Sequence, residues 1–472
     1  MNNDSTERIA SALRAWIAEA PAGARLPSNR RLSADHGASP VTVQKAMRML
    51  AAQGLVESRP GVGTFVRARR PARPADYGWQ TAALGPPPAQ GRLLSSTQRT
   101  LAPDLIGLHS GYPAQELLPG RLVRAALARA ARTEAAGTRS PPAGLPELQA
   151  WFAAELAETA PAGATAPSDR DVLVLPGSQS GLSSLFRALV GPGRPLLIES
   201  PSYWGAILAA RQAGVVLVPV PSGPRGPEPA EVERALELSG ARAFYAQPTY
   251  ANPTGAQWSP RRGEELLDVV RRHGAFLIED DWAHDLAIDS DPRPLAAQDG
   301  DGHVIYLRSL TKSVSPALRV AAVVARGPAR DRILADHAAG SMYVSGLLQA
   351  AALDVVAQPG WEAHRRGLRR QLRERRDLLA GSLREHAPAA TLEHLPLGGL
   401  NLWVRLPEGV EAEGFARECE GRGVVIAPGG EWFPAEPAGA YVRLNYSGPR
   451  PERFPEAARV IGDVLGPVVG QG

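Results

Sequence analysis

The stretch Tyr306–Val320, YLRSLTKSVSPALRV, holds Lys312, one of only two lysines among 472 residues; the other is Lys45, and the remaining fifty basic residues are arginines. A primary amine is the one nucleophile that a guanidinium cannot imitate. Chance retention accounts for a single lysine equally well, so its neighbours decide. Ser309 and Arg319 lie in the same stretch, and a hydroxyl, an amine and a guanidinium together suit an aldehyde cofactor that carries a phosphate. The S-x-x-K spacing of Ser309 and Lys312 also fits a serine-acylation motif. That motif needs a K-T-G partner, and Lys45 is the only lysine left.

Around this stretch, helical segments alternate with short β-rich runs: DVLVLPG, RPLLIES, VVLVPV, AFYAQP, AFLIED, VIYLRS and VAAVVA. Strands separated by helices predict an α/β domain with a mainly parallel sheet, whose ligands collect at the carboxyl ends of the strands. The first such end, PGSQSGLSSLFRAL, is a strand, a tight turn and a helix. The backbone N–H groups of Gly177, Ser178 and Gln179 there favour a phosphate, although such turns also serve as plain connections. Tyr203 follows LLIESPS, placed to stack on a planar ring or to fill the core. YAQPTYANPTG sets the amide of Asn252 on a rigid turn. AFLIEDDWAHD delivers three carboxylates, of which Asp280 is best placed to pair with a buried cation. No His or Cys set at useful spacing turns these acids into a metal site, and no metal is expected.

The first seventy residues read differently. Ile9, Leu13, Trp16 and Ile17 recur at helical spacing after the cap candidates Ser5 and Thr6. Ser28 caps a short helix to about His36, stopped by Gly37, and Ser39–Pro40 opens a third helix to about Gly54. Val43, Met47 and Leu50 form its inward stripe, and Val41, Gln44, Lys45 and Arg48 share the outward face. LVESRPGVGTFVRAR then reads as a hairpin. Its G-x-G lacks the third glycine and following helix of a dinucleotide loop. Helix, helix, helix, hairpin is the winged helix-turn-helix order, with the third helix suited to the major groove. A small helical cap domain with a solvated basic face is the plainer alternative. Residues 1–75 carry twelve basic and five acidic side chains, a net of +7, while the rest of the chain carries −3. A basic segment on a slightly acidic body points to nucleic acid.

Composition bounds the rest. The length suggests roughly two to four domains. No apolar run approaches the roughly 20 residues of a membrane span, the polar start is no signal peptide, and the single Cys419 forms no internal disulfide. A cytoplasmic protein without a membrane partner is expected. Residues 69–103, with RRPARPADYGW and GPPPAQG, read as a semi-rigid spacer.

The stretch ARLPSNRRLSADHGASPVTVQKAMRMLAAQGLVESRPGVGTFV resembles the GntR family of DNA-binding domains almost end to end. The resemblance implies that Arg30, Thr42 and the wing residues Arg59, Gly63 and Thr64 lie near DNA, beside Gln44, Lys45 and Arg48. The family often has arginines where Pro40 and Gln44 stand. From about residue 104 onward the chain resembles the fold-type I aminotransferases that bind pyridoxal 5′-phosphate, through PGSQSGL, SPSY, NPTG, EDD, SLTKS, Arg319, GGLNLWVRLP and YVRLNYSG. By that resemblance Lys312 forms the Schiff base, Asp280 pairs with the pyridinium nitrogen, Asn252 bonds the ring hydroxyl and Tyr203 stacks on the ring. Gly177, Ser178, Gln179, Ser309 and Arg319 hold the phosphate, and Arg443 grips an incoming carboxylate. Two positions depart. Trp282 stands where related fused regulators usually carry a tyrosine, and Arg139 where a tyrosine of the neighbouring subunit touches the phosphate.

The layout resembles the MocR family of transcription regulators: a GntR-type winged helix (1–68), a spacer (69–103) and an aminotransferase-like domain (104–472), with a large part at about 140–360 and a small part at about 361–472. It implies a homodimeric regulator that binds double-stranded operator DNA and senses a small amine, an amino acid or the cofactor itself. Two rival readings stay open, a working aminotransferase fused to a DNA-binding domain and a degenerate sensor that no longer binds cofactor.

Overall fold

The computed structural model describes residues 2–67, 76–84, 95–102, 104–161, 163–291 and 293–469. The chain divides into two compact units, Met1–Gly91 and Arg92–Gly472. The triple proline of GPPPAQG (85–91) and the first seven residues of RRPARPADYGW (69–75) lie outside the described residues.

In the first unit, helix α1 spans Asn2–Glu19, α2 Asn29–His36 and α3 Pro40–Ala52, followed by the strands β1 (Val56–Arg59) and β2 (Gly63–Val66). The two caps act as their sequence suggests. Ser28 Oγ accepts from Arg31 N, Ser39 Oγ accepts from Thr42 N, and Gly37 ends α2 in the left-handed region at φ 58°. Ile9, Ala10, Leu13, Leu32, Val43, Met47, Leu50, Val56 and Val66 close one small core. Two details differ from expectation. Helix α1 starts at Asn2, ahead of Ser5 and Thr6, and Trp16 lies outside the buried stripe at 39% exposure. Ala10, one turn from Leu13, fills the inward position instead. The antiparallel β1–β2 hairpin pairs Arg59 with Gly63.

In the second unit, β3 (Ile106–Gly107) precedes β4 (Val172–Leu175), β5 (Pro195–Ser200), β6 (Val216–Gly223), β7 (Gly226–Pro227), β8 (Ala243–Ala246), β9 (Phe276–Asp281), β10 (Val304–Ser309) and β11 (Ala321–Val324). All seven β-rich runs are strands of one sheet, ordered β4-β11-β10-β9-β8-β5-β6-β7. The strands β5, β6, β8, β9 and β10 are parallel, and β11 runs antiparallel to both β10 and β4. Alternate side chains feed opposite cores. Val172 and Val174 pack with the helices Pro146–Glu158 and Gly346–Val356, whereas Leu173 and Leu175 pack with Ser178–Leu185, Trp204–Gln212 and Gly327–Ser341.

The helix Pro359–His386 leads into a smaller sheet built from β12 (Thr391–Leu392), β13 (Asn401–Arg405), β15 (Ala427–Pro428) and β16 (Tyr441–Asn445), in the order β12-β13-β16-β15. Its neighbour β14 (Val424–Val425) pairs in parallel with β3, so residues 106–107 belong with the carboxyl-terminal part although they precede the large sheet in sequence. The spacer reading also changes near its far end. Ser95 and Ser96 donate to Glu431 Oε1 at 2.9 and 2.6 Å, which ties this stretch to the second unit. A further helix, Gly78–Leu84, occupies the middle of the same stretch.

Candidate functional site

The carboxyl ends of the parallel strands open onto a cavity of about 380 Å³. Gly177 and Ser178 follow β4, Tyr203 follows β5, Gln247 and Asn252 follow β8, Asp280 is next to last in β9, and Ser309 ends β10. Arg319 reaches the same edge by another route. Because β11 is antiparallel, its first residue, Ala321, sits opposite both Ser309 and Leu175. Ser178, Gln179, Tyr203, Asn252, Asp280, Trp282, Ser309, Lys312, Arg319 and Arg443 all line this one cavity. Gly177 is not among the lining residues; it caps the helix that carries Ser178 and Gln179.

Lys312 Nζ donates to the carbonyl of Gly111 at 2.7 Å and lies 3.1 Å from the centre of the Tyr112 ring. Burial, then the nearby guanidiniums of Arg443 and Arg319, hold its pKa well below the ordinary lysine value. A lowered pKa favours the uncharged amine, the form whose lone pair attack on a carbonyl requires. Asp280, 1% exposed, accepts from Tyr245 Oη at 2.7 Å and from Gln247 Nε2 at 2.9 Å, both through Oδ2. Its Oδ1 is buried with no partner. Burial pushes this carboxyl up to about 6, against the lowering effect of its two donors.

The corner where Ser178–Leu185 begins is assembled from backbone and one guanidinium. Gly177 takes φ 90° as the cap of Ser178–Leu185, and a Cβ there would lie 2.7 Å from Arg319 Nη2, so only glycine lets the guanidinium approach the helix start. Arg319 itself has φ 51°, a left-handed conformation that costs a non-glycine residue about 1–3 kcal/mol. Among the described residues it makes no hydrogen bond or ion pair. Gln179 Nε2 donates to Gly205 O at 2.7 Å, and Tyr203 Oη donates to Gln179 Oε1 at 3.2 Å, which fixes the Tyr203 ring over the cavity.

Arg443 is fully buried on β16. Its Nη2 donates to the carbonyls of His109 and Ser110 at 2.7 and 3.0 Å, its Nη1 donates to Asn252 Oδ1 at 3.2 Å, and its Nε has no partner. The Trp432 ring lies 4.8 Å from its guanidinium carbon. Burial lowers its pKa to about 10. Trp282 Nε1 donates to Tyr250 O at 3.1 Å, so the indole is committed to the backbone and offers no hydroxyl to the cavity. Arg139 is exposed and does not line the cavity of its own chain.

Four participants escaped the sequence reading. Tyr112 and the Gly111 carbonyl sit on Lys312, and Tyr245 and Gln247 hold Asp280. Tyr245 and Gln247 were visible only as members of the run AFYAQP, and HSGYP carries no strand or helix periodicity to mark it.

On the first unit, Gln44, Lys45 and Arg48 are exposed together on the outward face of α3, and Arg30 is exposed at the start of α2. Thr42 Oγ1 pairs with Ser39 Oγ at 2.8 Å, and Thr64 Oγ1 with Ser58 Oγ at 3.1 Å. Arg59 bonds Glu57 through Nε at 3.0 Å and covers the Phe65 ring at 4.8 Å. Arg25, not singled out before, packs on the wing. A Cβ at Gly63, with φ 140°, would lie 2.8 Å from its Nε.

Residues 5–66 match the family described as bacterial regulatory proteins, gntR family, and residues 103–461 match aminotransferase class I and II. The chain belongs to the GntR/MocR-type family. In that family a helix-turn-helix domain is fused to a fold-type I aminotransferase domain, here the first and second units. The chain is 26% identical to an uncharacterised HTH-type transcriptional regulator, YdcR of Escherichia coli, over 97% of this chain and 98% of that one. A probable rhizopine catabolism regulatory protein, MocR of Rhizobium meliloti, is 29% identical over 92% and 88% of the two chains. The 2-aminoadipate transaminase of Thermus thermophilus is 31% identical over 79% of this chain and 95% of its own. The crystal structure of alpha-aminoadipate aminotransferase LysN from Thermus thermophilus, complexed with N-(5′-phosphopyridoxyl)-L-leucine, superposes with a TM-score of 0.72 at 29% identity, covering 80% and 97% of the chains. No helix among the described residues is long and apolar enough to cross a membrane. No group of three or more His, Cys, Asp or Glu among them would hold a metal ion.

Proposed function

We propose that this MocR-type protein is a transcription regulator that holds pyridoxal 5′-phosphate in the 380 Å³ cavity and responds to a small amine bearing a carboxylate. The observation that carries the reading is the buried, unpartnered Oδ1 of Asp280, which faces a cavity lined by a low-pKa lysine and an unpaired arginine. An unpaired carboxylate oxygen at such a place calls for a cation, and the protonated ring nitrogen of the cofactor supplies one. When bound, the cofactor supplies an aldehyde carbon that takes up amines and a ring that takes up an electron pair. The chain does the rest. Lys312 presents its amine, Asp280 would hold the ring proton in place, Arg319 and the backbone of Gly177 to Gln179 would receive the phosphate, and the Tyr203 ring would cover one face.

Arg443 is the receptor for the ligand's carboxylate. Its present acceptors are carbonyls and an amide, all neutral, so an anion improves on every one of them. The same carbonyls belong to residues 109–110, in the segment by which the chain enters the second unit, so a ligand that captures Arg443 acts on that segment. The outward face of α3 and the wing take the DNA, with Gln44 reading an adenine edge and Lys45 and Arg48 meeting guanine or phosphate. A homodimer is the working form, with the partner subunit's Arg139 reaching the phosphate. Exposure of Arg139 away from its own cavity supports this.

Trp282 favours regulation over turnover, since its indole N–H is spent on Tyr250 O. A second reading, a working aminotransferase, is favoured by the intact set of Lys312, Asp280, Asn252 and Arg319. The test is to screen amino acids and amines for a change in the cofactor's visible absorbance, then to footprint the upstream DNA with the best of them. Arg443→Ala should abolish the ligand's effect on the footprint while the ligand-free protein still binds DNA. Rapid multiple-turnover transamination with a keto acid would instead establish the enzyme reading.

A further inference from the structure

Resting on the amine-sensing reading, we propose that Tyr112 decides which amine is accepted, and that it selects a monocarboxylic amino acid with an uncharged, apolar side chain. Two points are fixed. Lys312 Nζ marks where the ligand's amine arrives, and Arg443 marks where its carboxylate docks. The residues between those points are Ser110 to Tyr112. The Gly111 carbonyl accepts from Lys312 at 2.7 Å, the Ser110 carbonyl accepts from Arg443 Nη2 at 3.0 Å, and a Cβ on Gly111 would lie 3.9 Å from both terminal nitrogens of Arg443.

Tyr112 presents its ring face to the amine at 3.1 Å, so a molecule held by its own amine at that place rests its α-carbon and side chain on the same ring. The ring is held there by the backbone. Tyr112 N donates to Ser110 Oγ at 3.1 Å, Tyr112 O accepts from Asn445 Nδ2 at 3.1 Å, and Pro113 restricts the conformation of the residue before it. Asn445 stands two residues beyond Arg443 on β16, where alternate side chains share one face. One strand therefore sets both the carboxylate receptor and the aromatic shelf, at a fixed separation.

The chemistry of the remaining wall follows. Trp204 and Leu208 line the cavity with Tyr112, and Leu208 is 37% exposed, so an apolar side chain passes over Tyr112 toward the mouth. A cationic side chain would meet Arg319 and Arg443 together, and the only carboxylate among the described lining residues, Asp280, lies at the ring-nitrogen end. Among the described lining residues, both guanidiniums are already assigned, Arg319 to the phosphate and Arg443 to the first carboxylate, which leaves none for a second.

The experiment uses full-length protein loaded with pyridoxal 5′-phosphate and titrated with L-leucine, L-phenylalanine, L-glutamate and L-lysine, reading the visible absorbance change. Wild type should prefer the two apolar amino acids. Tyr112→Phe, which keeps the ring, should preserve that order. Tyr112→Ala should weaken leucine and phenylalanine by about tenfold or more, while glutamate and lysine change far less, because the loss is confined to contacts an apolar side chain makes. The cofactor's own absorbance reports that each variant is folded and loaded. The assignment is overturned if wild type ranks glutamate or lysine first, or if Tyr112→Ala shifts all four by one common factor. A wild type that answers to none of many amines takes the sensing reading down with it. A responsive wild type whose ranking survives Tyr112→Ala removes only the role of Tyr112.

Discussion

Asp280→Asn should strengthen the cofactor-free protein and weaken the loaded one. Burial raises the Asp280 carboxyl from the ordinary 3.8 to about 6. The ionised form is thereby penalised by about 3 kcal/mol in the folded state, at about 1.4 kcal/mol for each tenfold change in proton affinity. A folded pKa above the unfolded one contributes stability that is complete below the unfolded value and lost as pH rises through the folded value. For Asp280 that window runs from about pH 4 to about pH 6, so above it the cofactor-free wild type bears the whole cost. Asparagine keeps an oxygen for Tyr245 and Gln247 and has no charge to desolvate. Its amide N–H2 turns toward the cavity in place of Oδ1, which offsets part of the gain.

At about 2 cal/mol/K per residue, a unit of about 380 residues shifts its melting temperature by roughly 1 °C per kcal/mol. Cofactor-free Asp280→Asn should therefore melt about 1–4 °C above wild type at pH 8 and show no such advantage near pH 4. Glu199 and Glu279, whose carboxyls burial raises to about 7 and about 8, titrate in the same direction in both proteins and cancel in the difference. With cofactor the order reverses. Loss of a buried charge-assisted hydrogen bond to the ring nitrogen costs about 3 kcal/mol, on the order of a hundredfold in affinity. Thermal melts of stripped and saturated protein at the two pH values, with cofactor affinity from fluorescence quenching, check both halves. A stripped variant that melts at or below wild type at pH 8, or a difference that ignores pH, would refute the reasoning.

The remaining expectations concern DNA and assembly. In full-length protein, Lys45→Ala should weaken binding evenly across sequences and lower the slope of log affinity against log salt by about one, because one phosphate contact and its counterion are lost. Gln44→Ala should instead relax preference at a single base pair by about 1–3 kcal/mol, read from a binding-site selection series. The reverse pattern would mean that α3 docks in another orientation. Sedimentation equilibrium should return a homodimer. A monomer that retains its cofactor fully would contradict the role given to the partner's Arg139.

Much of this site was legible because strand ends and a lone lysine leave marks in sequence. The seven β-rich runs are strands, and Ser178, Gln179, Tyr203, Asn252, Asp280 and Ser309, expected at their carboxyl ends, line the cavity, whereas Gly177 does not. Arg319 lies before its run, and only the antiparallel direction of β11 brings it to the same edge. No local pattern reports strand direction. Tyr112 was out of reach for a different reason. Its position depends on Asn445 and on the pairing of β3 with β14, contacts between residues more than three hundred apart, and HSGYP on its own is an unremarkable loop. In the first unit the helical stripe named Trp16 as core. The helix turns it outward, and Ala10 suffices to fill the gap because the core there is so small.

Among the described residues, Arg308 and Arg443 are the two arginines at 1% exposure or less, and the fold treats them in opposite ways. Arg308, 1% exposed, donates to the carboxylates of Glu155 at 3.1 Å and Asp285 at 3.2 Å, and its neighbours raise its pKa despite burial. It is a paired charge within a structural network that also takes in Ser313, the residue after Lys312. Arg443, with no exposed surface, donates only to neutral acceptors, leaves Nε unpartnered, and has its pKa lowered by burial. A buried guanidinium without a hydrogen-bonded carboxylate forgoes most of the Coulombic gain that offsets its desolvation, and the charge of Glu431 and the Trp432 ring restore part of it. The remainder comes when an anion arrives, and two further groups without a partner among the described residues, Asp280 Oδ1 and the Arg319 guanidinium, stand around the same cavity. Their common placement separates a site prepared for a charged ligand from a core that merely tolerates polar residues.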